Sequence, residues 1–487
     1  MKQLKDILYK VSVEAVYGDT NSEVSQVVFD SRKVKQGDLF VAQKGVTVDG
    51  HKFIGKAIEL GATSVICEDL PEDRVETVTY VQVKDANETL AIVASNFYDN
   101  PSSKLSLVGV TGTNGKTTIA SLLYQLFFKA GYKTGLLSTV KVLVDRKEFP
   151  ATHTTPDSVS INKYLNDMVE AGVDYCFMEV SSHGIHQKRS EGLEFAGGIF
   201  TNLSHDHLDY HKTFAEYRNV KKSFFDSVPK SGFVLTNIDD KNGTFMVQNT
   251  KAKIRTYALK TLADYKAKII EKRFSGTQLS IDNIEVWTKL IGTFNAYNLL
   301  AIVGTAIELG LDKFEVLTIL SELESVSGRF QYVVSDNKVT AIVDYAHTPD
   351  ALKNVLETIN DIRTDNEKLI IVVGCGGDRD KTKRPKMAHI ASELSNQAIF
   401  TSDNPRTEDP KVILEEMESG VAPENFKKTL TIEDRRQAIK TACKFSESGD
   451  ILLIAGKGHE TYQEINGERF HFDDLEEVTN CFQLLKK

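Results

Sequence analysis

The strongest constraint on this chain is one eight-residue run, Thr111-Gly112-Thr113-Asn114-Gly115-Lys116-Thr117-Thr118. An apolar stretch, Leu105 to Val110, leads into it. Behind it Ile119, Leu122, Leu123, Leu126, Phe127 and Ala130 fall on one face at helical spacing, and Gly131 follows as a stop. The order is therefore strand, glycine loop, helix. Glycines let backbone N–H groups converge on phosphate oxygens, and the helix N-terminus adds its positive dipole end. Lys116 would neutralise β/γ-phosphate charge, and the Thr117 hydroxyl would ligate Mg²⁺. The strict phosphate-loop pattern needs glycine five residues before Gly115, where this chain has Val110. The first glycine is Gly112, which makes a shorter loop. On its own the motif indicates a nucleotide phosphate and suits a motor, a switch, a kinase or a ligase.

The same alternation continues down the chain. Strand candidates are Tyr175–Val180, Gly198–Thr201, Phe233–Thr236, Leu369–Val373, Ala398–Thr401 and Ile451–Ile454. Helical patterns lie between them, which predicts an α/β fold with mostly parallel sheets. Ligands of such sheets bind beyond the carboxyl ends of the strands. At about 100–200 residues per domain, 487 residues allow two to four domains. Turn formers at Asp99-Asn100-Pro101-Ser102-Ser103 and a helix-to-strand change at Ser327-Gly328-Arg329 divide the chain into 1–100, 101–330 and 331–487.

Composition narrows the partners. With 59 Lys and Arg against 68 Asp and Glu, the net charge is −9, which argues against a general nucleic-acid binder. No apolar run approaches the length of a membrane helix, and Met1 to Lys10 lacks the apolar core of a signal peptide. The 5 cysteines are odd in number and widely spaced without a C-x-x-C. That excludes a disulfide framework and fits a reducing cytoplasm.

Further motifs follow in order. They are Met178-Glu179-Val180-Ser181-Ser182-His183, then Thr201-Asn202-Leu203-Ser204-His205-Asp206-His207-Leu208-Asp209-Tyr210-His211, then Phe294-Asn295-Ala296-Tyr297-Asn298. Gly328-Arg329-Phe330, Asp344-Tyr345-Ala346-His347-Thr348-Pro349-Asp350 and Ala455-Gly456-Lys457-Gly458-His459-Glu460 come after them. Together with the glycine loop these resemble the Mur ligases and their relatives, the folylpolyglutamate synthetases, from about residue 29 to 460. Phe29-Asp30-Ser31-Arg32 with Gly37-Asp38-Leu39-Phe40 resembles a UDP-binding segment. Asp403-Asn404-Pro405-Arg406 resembles the amino-acid-selecting motif of the branch that adds meso-diaminopimelate; lysine-adding members usually lack that arginine. Three domains are implied: an N-terminal UDP-substrate domain, a central P-loop ATPase-like domain with a parallel sheet, and a C-terminal Rossmann-like domain.

The resemblance implies a cytoplasmic, ATP-dependent amide ligase acting through an acyl phosphate. It would join meso-diaminopimelate to the D-Glu carboxylate of UDP-MurNAc-L-Ala-D-Glu in peptidoglycan biosynthesis. A lysine-adding enzyme and a folylpolyglutamate synthetase are the alternatives, and a non-catalytic ATP-dependent switch is the alternative of a different class. A monomer is expected, with no nucleic-acid partner and no membrane insertion.

For ATP the resemblance implies Gly112, Thr113, Asn114, Gly115, Lys116, Thr117, Thr118, Asn295, Arg329 and Asp344, with Asn298, the expected start of a helix to Leu309, a weaker candidate. Glu179 and His207 would bind Mg²⁺, and Lys221 would do so as a carbamate, since CO₂ turns a cationic amine into an oxygen donor. His207 and His211 have zinc-helix spacing, but Leu208 stands between them and no glutamate base follows. Lys222 reads as a solvated lysine. The UDP-dipeptide is expected at Ser31, Thr154, Thr155, Ser181, Gln187 and Arg189, with helix capping the plain alternative for Thr154 and Thr155. Between Gly45 and Gly50 this chain has Val46-Thr47-Val48-Asp49 where other members often have polar His-Gln. Gly374-Cys375-Gly376-Gly377-Asp378-Arg379 lacks the last glycine of a dinucleotide loop, which disfavours nicotinamide. Arg379 and Arg406 would hold the amino acid, with Asp403, Asn404, Pro405, Gly456 and Glu460 completing its pocket. An arginine fork suits a carboxylate and repels an ammonium. Lys116, Arg189, Arg329, Arg379 and Arg406 are thus expected to form cationic clefts on an acidic body.

Overall fold

The computed structural model describes every residue except Val46, Thr47, His205, His207, Asp365 and Lys487, and the side chains of Leu208 and Asp209. The expectation for His207, and the contrast at Val46 and Thr47, therefore lie outside the described residues.

Three main sheets follow one another along the chain. The first has 5 strands in the order Val13–Tyr17, Thr79–Val83, Ser64–Cys67, Leu39–Val41 and Val27–Val28. The second has 11 strands. Its strands from Thr134–Leu137 through Tyr175–Glu179, Ser106–Thr111, Gly197–Phe200, Phe233–Asn237 and Lys253–Ala258 to Tyr265–Arg273 run parallel, and antiparallel strands close both edges. The third has 6 strands in the order Gln331–Val334, Thr340–Asp344, Ile451–Ala455, Leu369–Val373, Gln397–Phe400 and Thr429–Thr431. Its first pair is antiparallel and the rest parallel. The whole is the expected α/β architecture.

Strand Ser106–Thr111 lies between Tyr175–Glu179 and Gly197–Phe200, with Val110 opposite Glu179 and Thr111 opposite Phe200. Three strands thus end at one level, where a ligand meets backbone rather than side-chain bulk. The helix after the glycine loop spans Lys116–Lys129. Its apolar stripe (Ile119, Leu122, Leu126, Phe127) is fully buried with Leu299, Leu300 and Val303 of helix Thr293–Glu308. Burial of such side chains stabilises by about 1.5–3 kcal/mol each, so Leu126→Ala would cost about 2–5 kcal/mol. That packing fixes the helix N-terminus beneath the loop. Helix Thr293–Glu308 begins earlier than the Asn298 start that the sequence suggests: Gly292, at φ 98°, breaks the chain ahead of it, and Asn298 bonds within the helix to Asn295.

Two backbone devices mark the sheet junctions. Asp99 and Asn100 both have left-handed backbone, at φ 59° and 51°. At the second junction Gly328 has φ 66° and Phe330 has φ 49°. A Cβ on Gly328 would stand 2.1 Å from the His459 backbone N, so only glycine lets the two segments cross here. All five cysteines are free and buried. Among the described residues no helix is long and apolar enough to cross a membrane.

Candidate active site

The glycine loop forms a closed backbone cradle. Thr113 N donates to Asn202 O at 2.8 Å, Asn114 N to Asn202 Oδ1 at 3.0 Å, and Thr201 Oγ1 to Asn114 O at 2.6 Å. Gly112 and Gly115 have φ 150° and 92°. A Cβ on Gly112 would meet Thr201 Oγ1 at 1.8 Å, and one on Gly115 would meet Asn298 Oδ1 at 2.6 Å. The motif glycines are therefore required by the approach of neighbouring strands as well as by dihedral angle. Thr118, buried in the first helical turn, completes the loop.

Two lysines converge on this cradle. Lys116 Nζ donates to Gly112 O and Thr113 O, each at 2.9 Å. Lys221 Nζ donates to the same Gly112 O at 2.9 Å and is only 1% exposed. Burial, then the neighbouring Lys116, hold the Lys221 amine well below the ordinary lysine range. Burial also lowers Lys116. Lys222, by contrast, is not the solvated lysine expected: it is 8% exposed and paired with Asp226 at 2.7 Å, one helical turn on.

Glu179 ends its strand fully buried. Its carboxylate accepts from Thr117 Oγ1 at 3.0 Å and from Thr139 N at 2.7 Å. Arg329 Nη2 donates to Thr117 Oγ1 at 3.1 Å and stacks on Tyr345, 4.6 Å from the ring centre. Asp344 Oδ2 accepts from Phe330 N at 2.7 Å, and its burial raises it above the usual carboxylate range. It locks the junction backbone at the edge of a cavity of about 510 Å³ that Asn114, Gly115, Asn295, Arg329 and Asp344 line. Asn295 Nδ2 donates to Ile291 O at 2.8 Å and its Oδ1 accepts from Asn298. Both asparagines are thus held before any ligand arrives.

The residues expected for the UDP-dipeptide divide into two groups. Thr155 Oγ1 donates to Glu179 O at 2.8 Å and accepts from Ser181 N at 2.9 Å, while Arg189 Nη1 donates to Thr155 O at 2.7 Å. Arg189 Nη2 donates to Gln187 Oε1 at 2.7 Å. Gln187 and Arg189 line a cavity of about 440 Å³ between the first and second sheets, with Phe29 and Lys44 opposite. Ser181 caps the short helix Ser182–His186, accepting from Gly184 N. Neither Thr154 nor Thr155 caps the following helix; Asp157 does. Ser31 is buried at the start of a 3₁₀ turn and does not line this cavity. Thr154 faces a different cavity, described next.

A cavity of about 540 Å³ opens at the carboxyl ends of the third sheet. Thr154, Arg379, Asp403, Asn404, Arg406 and Glu460 line it. Arg379 is exposed and donates to Asp378 O. Arg406, at φ 52°, donates from Nη1 to Gly377 O at 2.7 Å. Pro405 is buried, and its carbonyl lies 1.9 Å from where a Cβ on Gly377 would sit. A Cβ on Gly456, at φ 116°, would lie 2.9 Å from Asp403 Oδ2. Asn404 Nδ2 donates to Glu460 Oε2 at 2.8 Å. Burial, then Asp403, raise Glu460 above the usual range. Tyr345 and His347 line both this cavity and the 510 Å³ one.

Several contributors were not anticipated. Thr139 reaches Glu179 through its backbone N–H, which carries no sequence signal, and its hydroxyl donates to Thr154 Oγ1 at 3.1 Å. Asp239 accepts from Leu259, Lys260 and Thr261 N–H and from Tyr297 Oη at 2.8–2.9 Å. Burial pulls its carboxyl upward, but those donors outweigh it and hold it well below the usual range. Lys457 sits inside the third cavity's wall. Among the described residues no cluster of three metal-ligating side chains occurs. The Thr117 hydroxyl and Glu179 carboxylate still supply the hard oxygen donors that Mg²⁺ prefers.

Family models match most of the chain: "Mur ligase family, catalytic domain" over residues 23–98, "Mur ligase middle domain" over 110–306, and "Mur ligase, glutamate ligase domain" over 328–458. A Cytophaga hutchinsonii protein named UDP-N-acetylmuramoyl-L-alanyl-D-glutamate–2,6-diaminopimelate ligase is 57% identical over 473 residues, 97% of each chain. A solved structure of a ligase of that name is 32% identical, with TM-score 0.70 over 100% of this chain and 99% of that one. The Thermotoga maritima MurF ligase, solved in complex with ADP, shares the fold at 20% identity and TM-score 0.63, covering 95% of this chain and 97% of its own. By motif order, fold and full-length similarity, the chain belongs to the Mur ligase family.

Proposed function

We propose that this chain is the ATP-dependent ligase that joins meso-diaminopimelate to UDP-MurNAc-L-Ala-D-Glu, releasing ADP and phosphate. The observation that carries the reading is a continuous hydrogen-bonded path from the 440 Å³ cavity to the 510 Å³ one, which in turn shares Tyr345 and His347 with the third. It runs from Arg189 to the Thr155 backbone, from Thr155 to Glu179, from Thr117 to Glu179, and from Arg329 to Thr117. A polyanionic acceptor, a nucleotide and an amino acid meet along it.

In this reading the chain divides at 1–100, 101–330 and 331–487, one domain for each substrate. The loop amides of Gly112 to Thr118 bind the ATP phosphates, and Lys116 leaves its carbonyl partners to neutralise them. Asn295, Arg329 and Asp344 shape the nucleoside end. Ser31, Thr154, Thr155, Ser181, Gln187 and Arg189 serve the UDP-dipeptide and orient its carboxylate. A carboxylate oxygen then attacks the γ-phosphorus as the bond to ADP breaks, and an acyl phosphate results. The amine of the incoming amino acid attacks the acyl carbon, phosphate leaves, and the amine gives up its proton. Thr117, Glu179, His207 and Lys221 would hold Mg²⁺, which when bound supplies positive charge against the crowded anions. Lys221 suits that task as a carbamate. Its amine, pushed toward the neutral form, has a free electron pair to form the N–C bond with CO₂, losing one proton. Arg379 and Arg406 take substrate carboxylates, and Glu460 takes the distal ammonium. A cytoplasmic monomer is the setting that fits these substrates.

The test is phosphate release with the UDP-dipeptide across a panel of amino acids. Turnover with meso-diaminopimelate and none with lysine is expected; the reverse preference would overturn the substrate assignment.

A further inference from the structure

Lys457 is fully buried inside the wall of the amino-acid cavity. Gly456 and Gly458 flank it at φ 116° and 55°, so the turn throws its side chain inward. Its Nζ lies 3.2 Å from Asn404 Oδ1, 3.3 Å from Glu460 Oε2 and 3.6 Å from Asp403 Oδ1. It also stands 5.6 Å from the Tyr462 ring centre. With no exposed surface, this ammonium cannot serve as a solvent-facing phosphate hook.

The charges around it are few. The other buried cation nearby, Arg435, makes a two-point contact with Asp474 at 2.7 and 2.8 Å and donates to Ala455 O at 3.0 Å, and it acts on Asp403 and Glu460 through space. That leaves Asp403 and Glu460 as two carboxylates with one ammonium between them. Asp403 Oδ1 is buried without a hydrogen bond, so Lys457 is its counter-charge. Asn404 connects the set, accepting from Lys457 and donating to Glu460.

We propose that Lys457 is a positioning residue for the amino-acid substrate. Its ammonium orients Asn404 and Glu460 and offsets one of the two carboxylate charges it lies against, Asp403 and Glu460, leaving the other for one substrate ammonium. The substrate side of this statement rests on the function proposed above; the charge balance within the protein does not. The groups facing Glu460 are Asp403, Lys457, Arg435, Tyr345 and Tyr462. Without Lys457, Asp403 would act on Glu460 uncompensated and favour its protonated form. The ammonium site would then exist only at higher pH.

The experiment compares wild type, Lys457→Met, and Lys457→Met combined with Asp403→Asn. Lys457→Met raises KM for meso-diaminopimelate by about tenfold near pH 7. That KM falls as pH rises, while KM for ATP stays within about twofold of wild type. Removing Asp403 as well restores the balance and flattens the pH profile. Carbon NMR of labelled glutamate reads the same balance without any substrate, as an upward move of the Glu460 titration in Lys457→Met that the second substitution reverses. A Glu460 titration unmoved by Lys457→Met overturns the proposal. A moved titration with no turnover of meso-diaminopimelate by the wild type would instead overturn the substrate assignment. Lys457→Gln supplies the same comparison if the methionine variant does not fold.

Discussion

The phosphate cradle and the amino-acid pocket solve opposite electrostatic problems. In the cradle, two lysines share one backbone carbonyl, Gly112 O, with Asp206 acting on both and Glu179 on Lys116. Positive charge is held in surplus, on amines that burial weakens, awaiting polyanions. In the pocket, two carboxylates surround one buried lysine, and a second buried cation is paired with Asp474. Around Lys457 the carboxylates outnumber the ammonium by one, which suits a substrate ammonium in the reading proposed above.

That contrast can be broken at several points. The largest effect is expected beneath the pocket. Asp474→Asn leaves Arg435 buried without its counter-ion and should lower unfolding stability by about 3–5 kcal/mol, measured by urea titration. A loss under 1 kcal/mol would mean the pocket does not depend on its matched ion pair. Next, Lys116→Ala should reduce the rate of phosphate release by about 10²–10³-fold with KM for the amino acid little changed. Equal losses in both would merge the two sites into one. Arg406→Leu should act the other way, raising KM for meso-diaminopimelate by about 10- to 100-fold, as loss of a charged contact worth about 1.5–3 kcal/mol implies. Its effect on KM for ATP should be negligible.

The smallest effect concerns stored strain. The native Lys221 amine has a pKa well below its ordinary value of 10.5, so the unfolded chain binds more protons between the two values. Wild-type stability therefore rises with pH across that window. In CO₂-depleted buffer at pH 7, Lys221→Met should be more stable than wild type. The gap should close as pH approaches 10.5, while activity is lost throughout. Denaturant melts from pH 7 to 10 check this, and a pH-independent gap would show that the lysine carries no such cost. Activity of Lys221→Ala partly restored by acetate would support the carbamate.

The strand, loop and helix around Gly112 were legible because every determinant is local: apolar spacing, two glycines and a stop at Gly131. The alternating apolar strands told the α/β class for the same reason. Asn298 misled as a helix start because an asparagine that caps and one that bonds within a helix look alike in sequence. Lys222 looked solvated because its Asp226 partner matters only once helix Phe214–Ser227 has one face buried. Thr154 and Thr155 are adjacent in sequence yet serve different surroundings, one facing the amino-acid cavity and the other bonded to Glu179 and Arg189.

The sequence by itself determined the phosphate loop, the order of the three sheets and the family, since these follow from residue types at short spacing. It also carried every ion that the sites use. Tertiary structure alone decided which charges are matched and which are left over. Lys457, Asp403 and Glu460 come together from two loops that only the parallel sheet brings to one end. The −9 net charge was silent on this, because a buried charge acts over a few ångströms in a medium that screens it weakly, and its effect depends on neighbours rather than on totals.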